Sequence, residues 1–208
     1  MIWRWMTVNP LTKYKAITKE QFLFHEMRTI AKLVIENKTN EEILDEVVND
    51  NLFQYPTEKS LKEITRTCLS RFRIFDDNRV AEIIATGNVQ SAKQACLFAM
   101  MEQNRLVWDF MVGVIGEKYK TRDYHFSTTD INSFFTRLQE QNDDIASWSE
   151  ASIKKCKQVL MRLLLENEYL ENRKATQLNS IYLDSYFKSI VSDIDSVALC
   201  AFNSFEYR

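Results

Sequence analysis

The chain is poor in glycine and proline, and this shortage already excludes several kinds of protein. It has 208 residues, of which only 3 are glycine and 2 are proline. A turn-rich β fold depends on these two residue types, so long helices with short connections are expected instead. Glycine occurs only at Gly87, Gly113 and Gly116. Neither a P-loop nor a dinucleotide-binding fingerprint can be built from that spacing.

The usual signatures of catalysis and metal binding are also missing. Histidine, the commonest general base, occurs only at His25 and His125. No pair among the four cysteines has the spacing of metal ligands, and two of them lie on apolar faces of predicted helices, which predicts burial. The cysteines are Cys68, Cys96, Cys156 and Cys200. We therefore expect a protein that is not an enzyme and that needs no cofactor or metal.

Long apolar runs are absent as well. The most apolar stretch, Ala95–Gly116, is interrupted by Glu102, Arg105 and Asp109 and so does not read as a membrane span. The N-terminal MIWRWMTVNP has no apolar core long enough for a signal peptide. These patterns predict a cytoplasmic protein with no membrane partner and no small-molecule substrate.

The clearest positive feature is a basic stripe on the predicted helix TEKSLKEITRTCLSRFRIF. At about 100° per residue, five polar positions fall within about 80° of the helix surface, opposite a broad apolar band. These five positions are Lys59, Lys62, Arg66, Ser70 and Arg73. The net charge of the chain is only −2, so this positive charge is local. The phosphate backbone of a nucleic acid is the first candidate partner.

A second basic face lies on the predicted helix SEASIKKCKQVLMRLLLEN, which Ser147 or Ser149 can cap. Its polar positions, within about 100° of each other, are Lys154, Lys155, Gln158 and Arg162. The polar turn ENRKATQLN follows and adds Arg173 and Lys174, and the alternating run SIYL comes next. A helix, a loop, a second helix and two short strands around a basic turn make up the layout of a winged helix.

The rest of the N-terminal half reads as helices of defined order. Thr18 can cap a helix that runs to about Asn37, Asn40 can cap the short acidic helix EEILDEVVND, and Thr57 can cap the basic helix. A short helix followed by a longer basic helix is the order of a helix-turn-helix unit, although the connection here is longer than the tightest kind. Gly87 predicts the end of the helix RVAEIIAT.

The patterns after Gly87 complete the predicted fold. A long, broken helical stretch from Val89 to about Lys120 reads as the central core, and the helices DINSFFTRLQEQ and DSYFKSIVSD follow, before an apolar tail that docks on the body. The expected fold is all-α with two lobes, one helix-turn-helix-like and one winged-helix-like with a short β-wing. The expected divisions are 1–87, 88–126 and 127–208.

Several motifs together resemble the BrxA family, accessory proteins of BREX bacteriophage-exclusion systems. They are NDNLF, the TEKSLK start and LSRF end of the basic helix, QNRLVWDFM, WSEASIKKCKQVL and YLE. The resemblance covers most of the chain. It implies an all-helical, two-lobed protein that binds DNA beside larger BREX components, which include a methyltransferase, an ATPase and a phosphatase-like protein. It implies no catalytic residues. A likeness to the helical NusB-type antitermination factors is an analogy of fold only.

The leading hypothesis is a non-enzymatic module that binds double-stranded DNA, with affinity supplied by phosphate contacts. The predicted contacts are Lys59, Lys62, Arg66, Arg73, Lys154, Lys155, Gln158, Arg162, Arg173 and Lys174. One alternative is an adaptor that binds protein partners, including other BREX proteins, through the acidic helix and the aromatic N-terminus. Another is an RNA-binding protein, for which exposed aromatic side chains would be the mark.

Overall fold

Helices dominate the computed structural model, which describes residues 13–18 and 22–205. The α-helices are α1 Phe24–Ile35, α2 Asn40–Asn49, α3 Glu58–Phe72, α4 Arg79–Thr86, α5 Val89–Gln103, α6 Arg105–Phe110, α7 Glu117–Thr121, α8 Thr128–Gln141, α9 Asp143–Ala146, α10 Glu150–Glu166 and α11 Ser185–Asp195. A π-helix, Met111–Gly116, joins α6 to α7, and a 3₁₀-helix, Ser196–Phe202, follows α11. The prediction of an all-α protein is confirmed.

The chain divides into two compact units. The first unit contains Phe22–Gln103 and Asp184–Ile190, and the second contains Asn104–Leu183, the described residues from Val191 onward and residues 13–18. Helix α11 therefore contributes its first part to the first unit and its last part to the second. The predicted divisions 1–87, 88–126 and 127–208 stay a prediction.

Local side-chain chemistry sets the helix starts of the first unit. Thr39, one residue earlier than predicted, caps α2 through a reciprocal capping box with Glu42. Thr57 caps α3 by accepting a hydrogen bond from the Ser60 N–H, as predicted. Helix α1 begins later than predicted, because Leu23 has a left-handed backbone conformation with φ 56°. Residues 19–21, within the predicted start of this helix, lie outside the described part of the chain.

The first unit has an aromatic and aliphatic core centred on α5. The Phe98 ring lies 5.9 Å from Phe75 and 6.2 Å from Phe187, measured between centroids. Helices α1, α3 and α4 pack against α5. The side chain of Arg71, on α3, is fully buried here and donates a hydrogen bond of 2.9 Å to the Phe22 carbonyl. One face of α3 thus buries its side chains, while the other faces solvent.

The predicted long central helix is broken at Asn104, which confirms the expected interruption. The Asn104 side chain accepts hydrogen bonds from the N–H groups of Leu106 (3.0 Å) and Val107 (3.4 Å) and so caps α6. The π-helix then widens the turn between Met111 and Gly116.

The two glycines of the π-helix have different surroundings. A Cβ added to Gly116 would lie 2.5 Å from Cys200 Sγ and 3.3 Å from the Ala201 N, whereas one added to Gly113 would meet nothing within 4 Å. Gly116→Ala should therefore lower the free energy of unfolding by about 1–2 kcal/mol, since overpacking exceeds the gain in helix propensity. Denaturant unfolding measures this difference. Gly113→Ala is the control and should be neutral or stabilising, so equal destabilisation by both variants would contradict the packing described here.

The predicted β-wing is wrong for the described residues. Residues 169–184 contain no strand, and this segment contributes an isolated antiparallel bridge, from Gln177 to His125. The Phe126 N–H donates to the Thr176 carbonyl at 2.9 Å, and the Leu178 N–H donates to the Tyr124 carbonyl at 2.8 Å. The Asn179 N–H also donates to the Tyr169 carbonyl at 2.9 Å, which is a single contact between the two predicted strands and not a ladder. The backbone at Thr176 and Leu178 pairs with the segment before α8, so its groups are not available to extend a hairpin.

The C-terminal segment packs into the second unit, as predicted. Asp195 caps the 3₁₀-helix and also accepts a hydrogen bond of 3.3 Å from the Trp108 indole N–H. The Tyr169 hydroxyl donates to the Ala201 carbonyl at 3.0 Å. The buried tail residues are Ala198, Leu199, Ala201 and Phe202. In the part of the chain that the structure describes, no helix is long and apolar enough to cross a membrane.

Candidate nucleic-acid interface

The basic face of α3 lies on the solvent side of the first unit. Lys59, Arg66 and Arg73 are exposed, and none of the three makes an ion pair with a residue that the structure describes. The opposite side of the helix buries Leu61 and Cys68. The amphipathic pattern that predicted this face therefore corresponds to the real division between core and solvent.

Two positions of the predicted stripe are less available than the others. The Lys62 ammonium group forms an ion pair with Glu58, one turn earlier on the same helix. Ser70 is half-buried, donates to the Thr67 carbonyl at 2.7 Å and accepts a hydrogen bond from the Gln103 amide. Ser70 therefore serves packing within the first unit, and it leaves a gap in the positive charge between Arg66 and Arg73.

The basic face of α10 lies on the surface of the second unit. The helix is capped by Ser149, which accepts a hydrogen bond from the Ser152 N–H, so Ser149 and not Ser147 is the cap. All four predicted contacts on this helix are exposed and make no hydrogen bond or ion pair with described residues. They are Lys154, Lys155, Gln158 and Arg162. The positive charge on this face is more continuous than on α3, because no described acidic residue forms an ion pair with these side chains.

The turn after α10 places two more cations in solvent. Arg173 and Lys174 are exposed, and the Asn172 side chain fixes the turn by accepting a hydrogen bond of 2.8 Å from the Lys174 N–H. Both residues belong to the same unit as α10. The predicted basic turn therefore exists, but no strand flanks it in the described segment 167–184.

Two basic residues within these helices, neither of them among the predicted contacts, have structural roles. Arg71 is fully buried, although its neighbours on α3 include exposed cations. Lys157 binds the Asn132 side chain at 2.8 Å and lies 5.6 Å from the centre of the Phe135 ring. The helical phase does place Arg71 beside the apolar residues of α3, and this is the signal that could have identified it.

The cysteines and histidines do not assemble a reactive centre in the described residues. Burial raises the pKa of the Cys68 thiol to about 12, so this group stays protonated and unreactive near neutral pH. Cys96 and Cys156 are also buried, which confirms the predicted burial of Cys68 and Cys156. Both histidines are exposed. Among the described residues, no group of three or more His, Cys, Asp or Glu side chains could hold a metal ion.

The acidic helix α2 presents most of its carboxylates to solvent. Glu41 and Asp45 are exposed, whereas Glu46 forms an ion pair of 2.6 Å with Lys38. Ile43 and Val47 turn inward. This helix packs against α1 and α3, so an acidic surface and a basic surface belong to the same unit.

Comparison with known proteins gives relatives along most of the chain. A BREX protein BrxA from Bacillus cereus (strain H3081.97) is 34% identical over 165 residues, which are 79% of this chain and 82% of that protein. A BREX protein BrxA from Escherichia coli O9:H4 (strain HS) is 23% identical over 158 residues, which are 76% of this chain and 74% of that protein.

A solved structure shares the fold. The crystal structure of an uncharacterized protein from Magnetospirillum magneticum superimposes with a TM-score of 0.77 and covers 93% of this chain and 100% of that one, at 19% identity. The sequence also matches the family described as BrxA over residues 12–195. The family match and the relative at 34% identity agree with the sequence motifs, and the chain belongs to the BrxA family.

Proposed function

We propose that this protein is a non-enzymatic accessory component of a BREX defence system and binds double-stranded DNA through the basic faces of α3 and α10. The observation that carries the proposal is that the cations on these faces, apart from Lys62, are exposed and make no ion pair with described residues. A solvent-facing ion pair would satisfy such a cation within the protein, as Lys62 and Glu58 do on α3. The α10 face has no such internal partner among the described residues.

Phosphate contact accounts for binding without a catalytic group. Each phosphate that a Lys or Arg side chain neutralises releases a condensed counterion, so affinity falls steeply with salt. Contacts of this kind position a protein on the duplex and give little sequence preference. Gln158, exposed between the α10 cations, has the amide group that could read a base edge.

The two faces also have helix orders that suit DNA binding. Helix α2 precedes α3, and α8 precedes α10 with the four-residue helix α9 between them, and the cations lie on α3 and α10. We infer that α2–α3 acts as a helix-turn-helix-like unit and that α8–α10 with the basic turn acts as a winged-helix-like unit without strands. In both, the second helix would face the duplex.

Alanine substitution of Lys59, Lys62 and Arg66 tests the α3 face. We expect duplex affinity at low salt to fall about 10- to 30-fold, since three cations are lost but one of them is already paired with Glu58. Fluorescence anisotropy with a labelled duplex measures the change. Lys32→Ala is the matched control, because Lys32 is an exposed cation of the same unit on α1, and its loss should change affinity less than threefold.

Unchanged affinity in the α3 triple variant, with an unchanged melting temperature, would remove α3 from the interface. An equal loss in Lys32→Ala would instead show that general charge, and not the α3 face, attracts the duplex.

A protein-binding adaptor is the second candidate, and the exposed carboxylates of α2 favour it. Reversing the charge of Glu42, Asp45 and Glu46 should then abolish co-purification with BREX proteins while duplex binding is retained. Intact complexes in that variant would exclude α2 as a docking surface. Single-stranded RNA, added as a competitor in the duplex assay, tests the remaining RNA-binding hypothesis.

A further inference from the structure

The second unit contains a pocket of about 580 Å³ that neither basic face uses. Helices α6, α7 and α8, the π-helix and Tyr14 supply its lining. Its volume falls in the range of roughly 300–1,000 Å³ typical of small-molecule sites. Trp108 and Phe134 border the pocket, with 5% and 2% of their surface exposed, and polar side chains make up much of the rest of the lining.

One wall of the pocket carries the Asp109 carboxylate, and protein groups contact just one of its two oxygens among the described residues. Asp109 Oδ2 accepts a hydrogen bond of 2.5 Å from the Tyr14 hydroxyl and lies 3.5 Å from Arg105 Nε. The Arg105 guanidinium also stacks 4.3 Å from the centre of the Tyr14 ring. No described residue donates to Asp109 Oδ1. Burial raises the pKa of the Asp109 carboxyl, so a further N–H donor at Oδ1 would stabilise its charged form.

Another part of the lining carries an available cation. Arg137 is exposed, makes no hydrogen bond or ion pair with described residues, and is close enough to Asp109 to favour the charged carboxylate. The second lining cation, Lys120, is bound to Glu117 at 3.2 Å. Arg137 can therefore take an external anion, and its planar guanidinium suits a phosphate in particular.

Gly113 borders the pocket at a position where packing does not require a glycine. A Cβ at this position would meet no atom within 4 Å, whereas neighbouring Gly116 is required by its contact with Cys200. Gly113 also lies in the π-helix, an irregularity that occurs frequently at functional sites. The missing side chain leaves open space at this edge of the pocket.

We propose that this pocket binds a mononucleotide. The base donates N–H groups to Asp109 Oδ1, the phosphate binds Arg137, and the body of the ligand fills the volume between them. An amino acid could place its ammonium group at Asp109 and its carboxylate at Arg137, but it fills much less of the volume. The sequence alone predicted no small-molecule substrate, because residues from Tyr14 to Arg137 meet only in the folded chain.

Calorimetric titration of the full chain with the four nucleoside 5′-monophosphates tests this proposal. At least one nucleotide should bind with Kd below about 1 mM, and inorganic phosphate and phenylalanine should each bind at least tenfold more weakly. Gly113→Leu fills open space, and Arg137→Gln changes an exposed side chain, so both variants should fold. Each should weaken nucleotide binding at least tenfold and leave duplex binding unchanged.

Arg162→Gln is the matched control, since it removes one exposed cation of the same unit outside the pocket and should leave nucleotide binding unchanged. Failure of all four nucleotides to bind at about 10 mM would overturn the proposal. Equal binding of phenylalanine, or unchanged binding in Arg137→Gln, would also overturn it. Duplex affinity is measured separately, so none of these outcomes tests the proposal of DNA binding.

Discussion

Replacing Lys154, Lys155 and Arg162 with alanine is expected to lower duplex affinity about 100-fold at low salt. These side chains are exposed on one face of α10 and have no ion-pair partner among described residues, so each is free to contact phosphate. The slope of log affinity against log salt should also fall by about 3, close to one for each phosphate contact removed. Fluorescence anisotropy at several salt concentrations measures both quantities.

Lys157→Gln provides the control on the same helix. It removes one positive charge, but this ammonium group already binds Asn132 and faces Phe135. Duplex affinity should therefore change less than threefold. If the triple variant kept both its affinity and its salt slope, the α10 face would not contact DNA.

Arg71→Ala is expected to lower the free energy of unfolding by about 3–5 kcal/mol. The Arg71 side chain is fully buried and hydrogen-bonds the Phe22 carbonyl, so truncation leaves a cavity and an unsatisfied acceptor. Chemical denaturation followed by circular dichroism measures the loss. Arg71→Met, which restores volume without the charge, should recover part of it.

Arg66→Ala is the counterpart on the same helix. Arg66 is exposed, so its replacement should change the free energy of unfolding by less than about 0.5 kcal/mol while weakening duplex binding. We therefore expect the Arg71 variant to change mainly stability and the Arg66 variant to change mainly duplex affinity. A stability loss of similar size in both variants would contradict the assignment of a buried and an exposed face to α3.

Helix caps and periodicity made much of the fold predictable. Thr57 and Gly87 mark helix boundaries that the structure has, because the Thr57 side chain and the Gly87 backbone N–H satisfy terminal groups locally. The start of α1 could not be predicted, since it depends on the left-handed conformation of Leu23. No residue pattern nearby forces that conformation.

The wing was mispredicted for a different reason. The run Ser180–Leu183 alternates like a strand, but the backbone at Thr176 and Leu178 bonds to the segment 124–126, about fifty residues earlier. A pairing over such a distance leaves no local signal. The same holds for the pocket, where Tyr14 and Asp109 are brought together only by tertiary packing.

The basic faces were easier to predict than the contacts of single polar side chains. Helical phase identified the exposed side chains of α3 and α10, since core and solvent sides alternate with the helix period. It did not predict that Ser70 and Lys157 bind partners inside the protein, because those partners, Gln103 and Asn132, come from other helices. The helical period therefore predicts which faces of α3 and α10 are basic and exposed, but not which side chains on these helices bind partners within the protein.

A titration of the full chain with a labelled DNA duplex decides whether this protein binds DNA. It is run at low and physiological salt, with matched single-stranded RNA as competitor. We expect duplex binding that survives the competitor and weakens with a salt slope corresponding to several phosphate contacts. Absence of duplex binding at low salt, or its loss to the RNA competitor, would contradict the claim that these basic faces bind DNA.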